Sequence, residues 1–179
     1  TEEQATQDNS KLKLILGGSI ASVLAAGVIG FLVYSSICPC DRTPGGFLFG
    51  DDSDGQVNDW SFANDVELCQ LQIYDGIRPH SINLNCMATP EGEMYLSCSV
   101  CDTKYWAARV GENERGVMRL DGVVYPVYLN RITDSATMDQ AWQARVTKLQ
   151  IHGGPGNPAP PTNAPRADRW WTFQVTSRG

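Results

Sequence analysis

The stretch from Leu14 to Ile37, LILGGSIASVLAAGVIGFLVYSSI, contains no charged residue. A helical run of about 20 apolar residues matches the hydrocarbon thickness of a bilayer, so this stretch predicts a single membrane-spanning helix over 14–37. Residues 1–13 are then a short N-terminal tail, with Thr1 expected to follow a removed initiator Met. A secretory signal also opens with lysines ahead of an apolar run. This run is longer than such a core and lacks a small-x-small cleavage site at its end, so it is expected to stay as an anchor. Lys11 and Lys13 precede it, whereas only Arg42, beside Asp41, follows it closely. That bias places the N-terminus in the cytoplasm, which in a bacterium puts the anchor in the inner membrane and the domain in the periplasm. Gly18, Ser22, Ala26 and Gly30 recur every fourth residue, a small-residue stripe that lets another helix approach closely in lipid. Other transmembrane subunits and membrane lipid are the expected partners.

The net charge is −6 and no Lys or Arg cluster occurs. This argues against nucleic acid and against an anionic membrane surface as partners. Six cysteines in so short a domain fit an oxidising compartment.

Residues 38–65 are rich in Gly, Asp and Pro without a sustained period and read as a juxtamembrane linker. GDDSDG within it lacks the first carboxylate and the closing Glu of an EF-hand, leaving a solvated acidic turn. From Val66 onward the pattern is β. VELCQLQIY is a strand, Asp75-Gly76 a turn, and in IRPHSINLNCMA the residues His80, Ile82, Leu84 and Cys86 alternate as one apolar face. EMYLSCS follows as a third strand. Asp102 or Thr103 is expected to cap a helix running to Val110 and ending at Gly111. GVMRL, Asp121-Gly122 and VVYPVYLNRI carry a strong hairpin signal. Asp134 or Ser135 then caps a helix whose Met138, Trp142, Val146 and Leu149 form one stripe. Residues 151–168 are a Pro/Gly-rich loop, and RWWTFQVTS reads as the last strand. The fold class is α+β, with the anchor followed by a six-stranded antiparallel split β-barrel with flanking helices over 66–179.

This order, with DGIRPHSINL, GEMYLSCS, KYWAARVGENERGVMRL and DGVVYPVYLNRITD, resembles the FMN-binding split-barrel superfamily, the pyridoxamine-phosphate-oxidase-like proteins. The similarity covers residues 66–149 and extends to the final strand. The resemblance implies a six-stranded barrel holding a flavin phosphate near the third strand and the helix that follows it. Carried over by position, it makes Arg78, Ser97 and Lys104 the phosphate contacts, with Trp106 or Tyr105 stacking on the flavin ring.

The cysteines stand in a CxC, Cys38 and Cys40, a CxxC, Cys98 and Cys101, and two strand positions, Cys69 and Cys86. The CxC and CxxC together supply four thiolates, enough for zinc or an iron–sulfur cluster, yet outside the cytoplasm disulfides are expected instead and no metal site is assigned. A bridge from Cys38 or Cys40 to Cys98 or Cys101 would staple the linker to the barrel, although connectivity does not follow from one sequence. His80 and His152 are the only histidines, and no Ser, His and acid grouping points to a catalytic nucleophile.

The sequence thus supports a membrane-anchored accessory subunit without a resident cofactor, whose domain docks on and stabilises a larger integral membrane complex. The alternative is a periplasmic FMN-dependent oxidoreductase of the pyridoxamine-phosphate-oxidase-like class, with FMN as its cofactor.

Overall fold

The computed structural model describes residues 2–179, and side chains from Lys13 onward except those of Leu14 and residues 35–37. Thr1, and the Lys11 side chain on which the orientation argument draws, lie outside the described residues. The first helix, α1, spans Glu2–Ile37. Within it Ile15–Tyr34 is apolar and long enough to cross a membrane, and none of that window is buried against the rest of the chain.

Eight strands form one sheet: β1 (Asp51–Asp52), β2 (Cys69–Asp75), β3 (Arg78–Leu84), β4 (Cys86–Ala88), β5 (Met94–Ser99), β6 (Glu114–Leu120), β7 (Val123–Ile132) and β8 (Trp170–Ser177). Their order is β3-β2-β6-β7-β8-β5-β4, with β1 parallel to β7 and every other pairing antiparallel. The two ends of this path, β3 and β4, are consecutive in the chain and divided by Asn85 alone. One bent strand thus serves both edges, and the sheet curls into a half-barrel. This explains why eight strands appear where six were expected: the second expected strand is split at Asn85, and β1 is added.

Local chemistry sets the register. Leu120 pairs with Val123 across a two-residue turn in which Asp121 and Gly122 both have positive φ, 46° and 85°. Such a turn follows the right-handed twist of a hairpin and favours Asp-Gly. Inside the curl, Leu71, Ile73, Leu96, Met118, Leu129 and Phe173 are at most 1% exposed, each such side chain contributing about 1.5–3 kcal/mol by leaving water. The second helix, α2, spans Ser135–His152 and is capped by the Asp134 carboxylate, which accepts from the Thr137 backbone N–H. It packs on β4, β5 and β8, with Ala141 against Met87 and Tyr95.

Three expectations need correction. Residues 102–110 form no α-helix, only short 3₁₀ turns at Cys101–Thr103 and Ala107–Arg109. Lys104 between them is extended, at φ −85° and ψ 121°, which stops the helix after three residues. A single α-helix, not two, therefore flanks the sheet among the described residues. The stretch 38–65, read as a linker, contributes to the core: Leu48, Trp60 and Ala63 are buried, and Trp60 meets Tyr125 edge-on at 5.3 Å. Finally, β3 does not bury one alternating face. Ser81 is fully buried, and its backbone pairs with Gly45 alongside β3, at the end of the strand order.

Candidate functional site

A cleft of about 540 Å³ opens between β3, the end of β5, the 3₁₀ turns, α2 and the loop before β8. Asp41, Arg42, Thr43 and Pro44, from the chain leaving α1, form another part of its wall. Ser97, Lys104 and Trp106 all line it. Of the residues singled out by the resemblance, Arg78 is the one that stands outside. It is exposed at the start of β3, opposite Asp75.

Two buried polar atoms in this cleft have no hydrogen-bond partner among the described residues: Ser97 Oγ and Arg145 Nε. Ser97 is 8% exposed and Arg145 5%. An unsatisfied buried donor costs on the order of 1–3 kcal/mol, more for a charged group, so such atoms in one cavity point to a missing partner. Arg145 is held in place on its other sides. Its Nη2 donates to Asn157 Oδ1 at 2.6 Å, and its guanidinium lies 4.7 Å from the centroid of Trp170, whose ring meets Trp142 at 5.1 Å. Burial lowers the Arg145 pKa to about 10, which leaves it charged at neutral pH.

The cleft therefore gathers Arg42, Lys104 and Arg145 against the single carboxylate of Asp41, in a chain of net charge −6. Burial, then Arg78 and Arg109, lower the pKa of His80, which lines the cleft, and so favour its neutral imidazole. Asp102 is not part of the lining. The arrangement suits a bound anion that also presents a flat apolar surface.

The aromatics divide their duties. Trp106 lies against Phe173 at 4.9 Å and is largely core. Tyr105 is held between His80, at 4.5 Å between ring centroids, and the Arg109 guanidinium, 3.4 Å over its ring. Its hydroxyl donates to Asp75, which also pairs with Arg109 at 3.2 Å; the Tyr105 hydrogen bond, then Arg109, lower the Asp75 pKa. Trp170, half-buried on the cleft wall, is the aromatic that sequence reasoning missed.

The cysteines lie at disulfide distance in three local pairs, Cys38–Cys40, Cys69–Cys86 and Cys98–Cys101. The connectivity that the sequence left open is thus local, and these pairings leave no bridge from the juxtamembrane cysteines to the CxxC. Cys98 lines the cleft. Between the last pair, Val100 has φ 54° and ψ 43°, a left-handed conformation that a β-branched residue rarely adopts. Among the described residues, no group of three or more His, Cys, Asp or Glu is placed to hold a metal.

Arg145 was also missed, although a signal existed. With Trp142, Val146 and Leu149 it falls at helical spacing on the buried face of α2, and an arginine on a buried stripe is unusual unless paired.

The fold and site together define an α+β half-barrel with an anion-receptive cleft. No family model and no curated protein matches the chain. Solved structures similar to it include a NimC/NimA family protein from Clostridium acetobutylicum, 13% identical, covering 65% of this chain and 78% of that one at a TM-score of 0.44. A putative pyridoxamine 5'-phosphate oxidase from Listeria innocua is 10% identical over 66% and 89% of the two chains, with a TM-score of 0.44. The FAD binding protein from Mycobacterium smegmatis is 9% identical over 67% and 88%, with a TM-score of 0.40. These neighbours include a protein named for the group that the sequence resembles.

Proposed function

We propose that this chain is a membrane-anchored flavoprotein domain whose cleft binds FMN, making it an oxidoreductase of the pyridoxamine-phosphate-oxidase-like class. The observation that carries this reading is the pair of unpartnered buried atoms, Ser97 Oγ and Arg145 Nε, in one cleft with Lys104. Ser97 and Arg145 offer hydrogen bonds to a phosphate, Lys104 adds charge, and Trp170 offers an aromatic wall. FMN, when bound, supplies the redox chemistry, and the protein supplies orientation and electrostatics. On this reading the domain lies in the periplasm of a bacterium. That placement is supported by the three cysteine pairs and by the lysines ahead of the apolar run.

The test is purification of the full chain in mild detergent, with absorption recorded across the flavin bands before and after incubation with FMN. Flavin retained through gel filtration is the expected result. No retention by oxidised, folded protein contradicts the reading.

A second reading, an accessory subunit of an integral membrane complex, is supported by α1 itself. Gly18 and Gly30 have open space around them, and none of the apolar window Ile15–Tyr34 is buried against the domain. On this reading Gly18→Leu with Gly30→Leu abolishes co-purification of other membrane chains, and unchanged co-purification removes it.

A further inference from the structure

The segment Pro44–Gly50, PGGFLFG, carries no charge and displays two rings to solvent. Phe47 is 38% exposed and Phe49 52%, their centroids 6.2 Å apart, while Leu48 between them is buried. This outward pair is held rigidly. The Leu48 N–H donates to Gln72 Oε1 at 2.6 Å, Arg119 Nη1 donates to the Phe49 carbonyl at 2.7 Å, and Gly45 pairs with Ser81. The two rings are thus presented by a fixed backbone.

Their position relative to α1 is fixed as well. The Tyr34 hydroxyl donates to the Pro44 carbonyl, and Tyr34 is the last residue of the apolar window. A Cβ on Gly45 would lie 2.4 Å from the carbonyl oxygen of Cys38, the residue after α1 ends. Two residues of chain reach at most about 7 Å, so Phe47 stays that close to a backbone touching the helix exit. The headgroup zone of one leaflet is roughly 5–7 Å deep, and aromatic side chains gain by lying at that boundary.

We propose that Phe47 and Phe49 dock the domain onto the interface of the bilayer that α1 spans, fixing the domain's height and tilt. The inference rests on the reading of α1 as a membrane anchor. The lipid is zwitterionic: Asp51 and Asp52, both exposed, follow the pair after Gly50, and a chain of net charge −6 is repelled by an anionic surface. Neither ring lines the cleft, so the docking is separate from ligand binding.

The experiment places the photocrosslinking residue benzoylphenylalanine, one site at a time, at Val28, Phe47 or Phe49 of the full chain in phosphatidylcholine vesicles. Mass spectrometry after illumination is expected to find a lipid adduct at all three positions. A lipid adduct at 28 with its loss at 47 and 49 overturns the docking while leaving the anchor intact. Adducts at 47 and 49 to a second copy or another protein overturn it equally. No lipid adduct at any position overturns the anchor reading and the docking with it.

Discussion

Val100 and Lys148 show how single residues carry strain and burial in this fold. Val100 sits at φ 54° with its side chain half in solvent. A left-handed non-glycine residue costs on the order of 1–3 kcal/mol. Val100→Gly is therefore expected to raise the urea midpoint by the equivalent of about 1 kcal/mol, glycine's extra unfolded-state entropy offsetting part of the gain. An unchanged or lowered midpoint would refute this. Lys148 is 2% exposed, and its ammonium donates to the carbonyls of Ala63 and Cys86 at 2.7 Å each. Burial lowers its pKa from 10.5 to about 8. The unfolded chain then holds a proton that the folded chain has lost between pH 8 and 10.5, so stability rises with pH across that window. The gain has an upper limit of about 3 kcal/mol. Unfolding midpoints taken at pH 7.5 and 9.5 under oxidising conditions are expected to rise, and Lys148→Met to flatten the rise.

At the scale of elements, the stretch after α1 behaves as part of the domain. Trp60 is 3% exposed within the main core, and truncating a buried Trp costs about 3–5 kcal/mol. Trp60→Ala is expected to lower stability by that amount in denaturant titration, whereas a solvated linker would register less than about 0.5 kcal/mol. This stretch also marks where the sequence stops being legible. Strong local signals were readable: Asp121-Gly122 for the hairpin, Asp134 for the cap of α2, and period-2 alternation for the strands. What failed depended on distant partners or on the backbone conformation of a single residue. Ser81 reads as a solvent-facing strand residue until Gly45, distant in the chain, pairs beside it, and 102–110 reads as a helix until Lys104 extends the backbone. Arg145 belongs to the same group, since its role emerges only when Ser97, 48 positions earlier in the chain, is brought to the same cleft.

For the whole molecule, the bent strand at Asn85 closes the path of the sheet and brings the end of β5, α2 and the chain leaving α1 around one cavity. The cleft lies beside the exit of the apolar helix, and Asp41, Arg42, Thr43 and Pro44, just past that exit, form part of its wall. The unsatisfied Arg145 has opposite consequences for stability and binding. Without ligand, Arg145→Met removes a buried, half-satisfied charge and is expected to leave the midpoint unchanged or raise it. With ligand, it removes a charge-assisted hydrogen bond of about 1.5–3 kcal/mol, weakening affinity roughly 10- to 100-fold.

The most direct measurement is a pair of calorimetric titrations of the oxidised full chain in detergent, one with FMN and one with riboflavin, repeated on Arg145→Met. FMN is expected to bind the unaltered chain and riboflavin only weakly, with the FMN preference collapsing in the variant while its unfolding midpoint holds. Equal binding of the two flavins, or FMN affinity untouched by the substitution, would contradict an anion site built from Ser97, Lys104 and Arg145.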